Sequence, residues 1–178
     1  MLSDESLILQ FKAGSRDCFE ELFARYRNAV YGFFRRRLPD RQRAEDLAQE
    51  TWMAVLQGTE RYQPRALFRT YLYAIALRVL AGERRRAAKQ ASHSLLPEQV
   101  AVCDPPDTAG WIREAINNLD SVDREILLLR EYEQLTYEEI ATVLHIPLNT
   151  VRSRLFRARL ALKQMLEPDS TKAMANER

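Results

Sequence analysis

Apolar residues recur along this chain at three- and four-residue steps, the period of helices that bury one face. Leu7, Ile8 and Phe11 form a first short cluster, with Ser3 placed to cap it and Gly14 to stop it. Ser15 opens a longer run in which Phe19, Leu22, Phe23, Tyr26, Val30 and Phe33 make one core stripe. Pro39-Asp40 breaks the pattern before a third helix, roughly 41–56, with Ala44, Leu47, Thr51 and Val55 turned inward. After Gly58 a loop with Tyr62 and Pro64 leads to a fourth helix, about 65–89, whose Phe68, Leu72, Ile75 and Val79 belong to the core. Further helices are predicted near 111–119 and 122–132. No sustained two-residue alternation occurs, and five glycines are too few for a strand-rich fold with many tight turns. The predicted fold class is all-α.

The most specific pattern lies at 135–162. Thr136 with Glu139 makes a capping box, and Ile140, Ala141 and Leu144 share one helix face. His145-Ile146-Pro147 interrupts the helix, because proline disfavours helical geometry in the residue before it. A second helix is predicted to open at Asn149 or Thr150, both competent N-caps, with Val151, Leu155, Ala158 and Leu162 as its buried stripe. Arg152, Arg154, Arg157, Arg159 and Lys163 ride beside that stripe, with no acid between 149 and 164. This is the sequence form of a helix-turn-helix whose second helix enters a DNA major groove. A helical hairpin with a solvated basic face is the alternative.

Between 90 and 110 the helical period collapses around Pro97, Pro105 and Pro106, which predicts a linker. Leu95, Leu96, Val100 and Val102 within it are apolar enough to touch a domain surface. The chain therefore divides into two small helical domains, 1–89 and 111–167, joined by a flexible linker, with a frayed tail at 168–178. The formal net charge of +2 says little about partners, but its distribution says more. Carboxylates dominate from 113 to 139, and the sign reverses immediately afterwards, as suits a protein that meets a polyanion on one side.

The fourth helix and the loop before it repeat the basic theme. Arg61, Arg65, Arg69, Arg78, Arg84, Arg85 and Arg86 stand against a single acid, Glu83, with Tyr62, Phe68, Tyr71 and Tyr73 interleaved. Arginine pairs with phosphate, and an aromatic ring accepts an unstacked base at about 1–3 kcal/mol. The combination predicts a single-stranded or opened-duplex site; core packing of the aromatics is the alternative. In the third helix Asp46, Gln49 and Glu50 fall on one face, suited to a protein partner or simply to solvent.

Catalytic chemistry is not predicted. His93 and His145 have no nucleophile or metal-binding partner at a telling spacing, and Cys18 and Cys103 form neither a metal motif nor a disulfide framework. Cys18 is predicted to be a small core residue. No metal or cofactor is expected. The first residues lack a basic segment followed by a long apolar run, and no stretch is long enough to span a bilayer, so a soluble cytoplasmic protein is expected.

Taken together, RAEDLAQETW, YQPRALFRTYLYAIA and LTYEEIATVLHIPLNTVRSRLFRARLALK resemble bacterial sigma factors of the extracytoplasmic-function group, small members of the sigma-70 family. The resemblance runs from about residue 7 to 166 and implies a transcription initiation factor. It implies that Asp46, Gln49 and Glu50, in the DLxQE stretch, bind core RNA polymerase. It assigns Arg61, Tyr62, Arg65, Arg69, Tyr71 and Arg78 to the promoter −10 element, an opened strand, with a flipped base held near residues 58–67. The helix from Asn149 and Thr150 resembles the −35 duplex reader, with Arg152, Ser153, Arg154 and Arg157 nearest the DNA. An anti-sigma protein is a further partner that the family implies, and no membrane is involved. The chain departs from the family at Tyr71 (often tryptophan), Leu77-Arg78 (often arginine-asparagine) and Asn149 (commonly glycine). A stand-alone DNA-binding regulator that never joins polymerase is the rival, and an enzyme a remote third.

Overall fold

A computed structural model describes residues 2–64, 67–93 and 108–166. Within them lie α1 (Asp4–Lys12), α2 (Arg16–Arg35), α3 (Arg41–Gly58), a 3-10 turn (Thr59–Arg61), α4 (Phe68–His93), α5 (Thr108–Asn117), α6 (Ser121–Glu131), α7 (Tyr137–Leu144) and α8 (Leu148–Leu166). No strand occurs among the described residues, as the all-α prediction required. The chain forms two compact units, one built on α1 to α4 and one on α5, α6, α8 and most of α7.

In the first unit α1 starts where Ser3 accepts the Ser6 N–H at 3.2 Å, and it is followed by Gly14 at φ +107°, which only glycine adopts freely. Leu7, Ile8, Leu22, Val30, Phe33, Leu47, Phe68 and Leu72 are fully buried. The predicted stripe of α2 needs two corrections. Phe34, outside the stripe, is fully buried, and Phe23 is 38% exposed while resting on Trp52. Because α2 packs against both α1 and α3, its apolar face is wider than one stripe and differently centred. Ala44, Leu47, Thr51 and Val55 are all buried, and the Thr51 hydroxyl donates to the Leu47 carbonyl at 2.8 Å, so its polarity is satisfied inside the helix.

The fourth helix begins at Phe68 rather than 65 and runs to His93 rather than 89. Its start is set from a distance: the Glu5 carboxylate of α1 accepts the Phe68 N–H at 3.0 Å, one of the donors a helix start leaves orphaned. The predicted linker is shorter at both ends, since 90–93 are in α4 and 108–110 in α5. Leu95, Leu96, Pro97, Val100, Val102, Cys103, Pro105, Pro106 and the tail from 168 lie outside the described residues. Cys18 is buried, as its neighbourhood predicted.

In the second unit α6 packs on α8, with Ile126 and Leu129 facing a core shared by Val151, Leu155 and Ala158. The capping box forms in both directions: Glu139 accepts the Thr136 N–H at 2.7 Å, and the Thr136 hydroxyl accepts the Glu139 N–H at 3.2 Å. The turn works differently from the prediction. His145 sits at φ +55°, and the Ile146 N–H bonds the Ala141 carbonyl at 3.1 Å, the left-handed closure of a Schellman turn. The helix after it starts at Leu148, with the Pro147 carbonyl accepting from Val151 at 3.2 Å. Asn149 and Thr150 are therefore first-turn residues, not caps; proline takes the cap position because its missing N–H is not needed there.

The left-handed His145 carries a testable cost. Relief of about 1–2 kcal/mol of backbone strain exceeds the roughly 0.5–1 kcal/mol of chain entropy that a glycine adds. His145→Gly is expected to raise the free energy of denaturant unfolding by about 0.5 kcal/mol. A stability equal to or below the parent's would contradict that account.

Candidate nucleic-acid interface

The face of α8 opposite its buried stripe carries Asn149, Arg152, Ser153 and Phe156, all exposed, with Arg157 beside them. Arg152 reaches Asn149 at 3.4 Å, and the Ser153 hydroxyl donates to the Thr150 carbonyl at 3.1 Å. Thr150 itself is half-buried. Arg154 and Arg159 are placed otherwise. Arg154 Nη1 lies 2.9 Å from Asp123 Oδ1 and 3.3 Å from Asp120 Oδ1, and Arg159 Nη2 lies 2.6 Å from Glu131 Oε1. Both positions sit at the edge of the buried stripe, within reach of the carboxylates of α6. Asp120 also caps α6, and the N–H groups of Val122 and Asp123, with Arg154 adding its charge, hold its carboxyl below the usual carboxylate range.

Sequence reasoning missed Phe156, which is 69% exposed. The signal was present: an aromatic four residues after Arg152 and off the Val151–Leu155–Ala158 stripe has no core to enter. An exposed ring there is chemically fit to pack on a thymine methyl, while arginine pairs with guanine edges.

In the first unit the aromatic platform is rearranged. Tyr62 is only 4% exposed, its ring 5.1 Å from Tyr71 and 6.4 Å from Phe68. Burial, with the charges of Glu5 and Asp4, pushes its hydroxyl up to about 12. In this state Tyr62 offers no face for a base. It is covered because α1 ties down the surrounding loop, Glu5 at Phe68 and Lys12 Nζ donating to the Glu60 carbonyl at 2.6 Å. Tyr73 is also buried.

Tyr71 remains half-buried beside Gly58, where a Cβ would come within 2.5 Å of its hydroxyl oxygen. Burial raises its hydroxyl pKa, and Arg78 and Arg61 pull it back. The structure therefore brings Tyr71, Arg61 and Arg78 into one electrostatic neighbourhood, with both arginines exposed. Arg69 is half-buried, and Arg65 lies outside the described residues.

On α3, Asp46 is half-buried and Gln49 and Glu50 are exposed, as one face. Met53 and Leu56, both exposed, extend that face and were also missed; they are apolar residues off the buried stripe. Gln42 Nε2 donates to Asp46 at 3.3 Å, and Arg43 Nη1 stands 3.6 Å from its other oxygen. Arg43 Nε donates to Glu83 Oε1 of α4 at 2.7 Å, and this bond first of all holds the Glu83 carboxyl below its ordinary range. No helix among the described residues is long and apolar enough to cross a membrane.

Residues 22–90 match the family described as Sigma-70 region 2, and residues 109–162 the family described as Sigma-70, region 4. The chain is similar to the RNA polymerase sigma-H factor of Pseudomonas aeruginosa, at 31% identity over 93% of this chain and 94% of that protein. It is also similar to the ECF RNA polymerase sigma-E factor of Haemophilus influenzae, at 29% identity over 94% of this chain and 97% of that one. Among solved structures, the sigma factor RpoE of Bartonella quintana, determined with the anti-sigma factor NepR, shares the fold. Its TM-score is 0.74 at 22% identity, over 85% of this chain and 98% of that one.

Proposed function

The chain belongs to the sigma-70 family of RNA polymerase sigma factors, in its extracytoplasmic-function group, and from that premise we propose how its surfaces share the work of initiation. It is a transcription initiation factor that binds core RNA polymerase and directs it to promoters. In our assignment the domain over 1–89 meets core polymerase and the −10 element, the domain over 111–167 reads the −35 element, and the segment near 90–110 joins them.

Asp46, Gln49 and Glu50 present carboxylate and amide groups to polymerase, with Met53 and Leu56 adding apolar contact. At −10, Arg61, Arg65, Arg69 and Arg78 hold phosphates and Tyr71 takes the stacking role; Tyr62 supports Tyr71 through an edge-on ring contact. Extruding a base costs a few kcal/mol, which stacking of about 1–3 kcal/mol and edge contacts offset. At −35, Arg152, Ser153, Phe156 and Arg157 meet the bases, with Asn149 at the entry of α8. Thr150 and Arg154 position the helix. The factor performs no chemistry itself, takes no cofactor, works in the cytoplasm beside polymerase, and is held in check by an anti-sigma protein.

The observation that carries this division is an exposed basic helix face in one unit together with an exposed acidic face in the other. A stand-alone regulator would use the first and leave the second idle. The test is transcription in vitro from a library of genomic promoters. Core polymerase plus the chain is expected to start transcripts at a small set of sites sharing two elements. Identical starts with and without the chain, or tight specific DNA binding by the free chain alone, would favour the regulator.

A further inference from the structure

We propose that Glu83 is a positioning residue that holds Arg43 and shares Arg86, so that neither pairs fully with the polymerase-facing carboxylates of α3, and that Arg86 competes with polymerase for Glu50. The inference rests on the assignment of that face to core binding.

Glu83 is the only acid on α4, and its side chain is only 16% exposed. It engages Arg43 at two points, through Nε at 2.7 Å and through Nη2. Arg86, well exposed, stands 3.9 Å from Glu83 and 3.9 Å from Glu50. Arg43 is at the same time 3.6 Å from Asp46. Two arginines thus face three carboxylates, Asp46, Glu50 and Glu83, and the cluster keeps one net negative charge. Neutralising Glu83 would balance the cluster, and both arginines would then have only Asp46 and Glu50 to pair with. The surface would lose the sign that attracts a basic partner.

The two arginines differ in how firmly they are held. A two-point guanidinium–carboxylate bond at a largely buried carboxylate is strong and directional. A single contact near 4 Å between exposed groups is weak and readily displaced. Arg43 is therefore fixed by Glu83, whereas Arg86 is a removable competitor for Glu50.

The experiment titrates fluorescently labelled full chain with core RNA polymerase at low and raised salt, with Asp46→Arg as the control for the interface itself. Arg86→Gln is expected to bind about two- to fivefold more tightly at low salt, the gain shrinking as salt rises. Glu83→Gln is expected to bind roughly three- to tenfold more weakly, and Glu83→Gln/Arg86→Gln to return to within about twofold of the parent. A merely structural role for Glu83 predicts no such rescue, because the lost tie between α3 and α4 stays lost. An Arg86→Gln variant that binds no better than the parent, or a double variant no better than Glu83→Gln, overturns the inference while Asp46→Arg still loses binding. A parent that fails to bind core polymerase overturns the functional assignment, and this inference with it.

Discussion

Asp46→Arg is expected to abolish co-elution of the chain with core RNA polymerase while leaving its helix content and unfolding midpoint near the parent's. The substitution is mild for the free protein, because Asp46 is partly exposed and its contacts are a 3.3 Å bond from Gln42 and a 3.6 Å pair with Arg43. Surface changes of that kind typically fall within about 0.5 kcal/mol. At an interface the arithmetic is different. Reversing a charge that a partner's basic group has desolvated costs about 2–5 kcal/mol, which is roughly 30-fold to beyond a thousandfold in affinity. A folded variant that still co-elutes at parental levels would return the α3 face to solvent.

The second large effect separates two arginines three residues apart. Arg157→Ala is expected to lower −35-dependent initiation about 5- to 100-fold with no change in stability, because the exposed side chain is free to make a bidentate base contact worth about 1–3 kcal/mol. Arg154→Ala is expected to act the other way round. It removes the ties from α8 to Asp123 and Asp120 at the start of α6, and a lower urea midpoint is expected. Folding lowers the Asp120 pKa, so the stability linked to this corner is present above the ordinary carboxylate range. It is lost as pH falls through the lowered value. Initiation assays paired with urea melts decide the matter. Loss of initiation by Arg154→Ala at parental stability would move that arginine back to a base contact.

The periodic reading succeeded where one helix face decides the outcome. Ala44, Leu47, Thr51 and Val55 fall on one face of α3 at helical spacing, and all four are inside. The Thr136–Glu139 box closed as read, since both partners lie within one turn. Elsewhere a second element sets what a side chain presents in this state. Tyr62 had the composition of a stacking platform, yet α1, nearly sixty residues earlier in the chain, closes over that corner and buries it. Arg154 looked like its neighbours Arg152 and Arg157, but two carboxylates on α6 claim it.

Local sequence, then, was enough for the helices, most of their inward faces, the capping box of the helix-turn-helix and the one-signed charge of its second helix, because each depends on residues a few positions apart. Tertiary structure alone decided which charged and aromatic groups stay available to a partner. The contacts that settle this join Glu5 to Phe68, Arg43 to Glu83 and Asp123 to Arg154. Such pairs are set by how helices pack, and no local spacing encodes them.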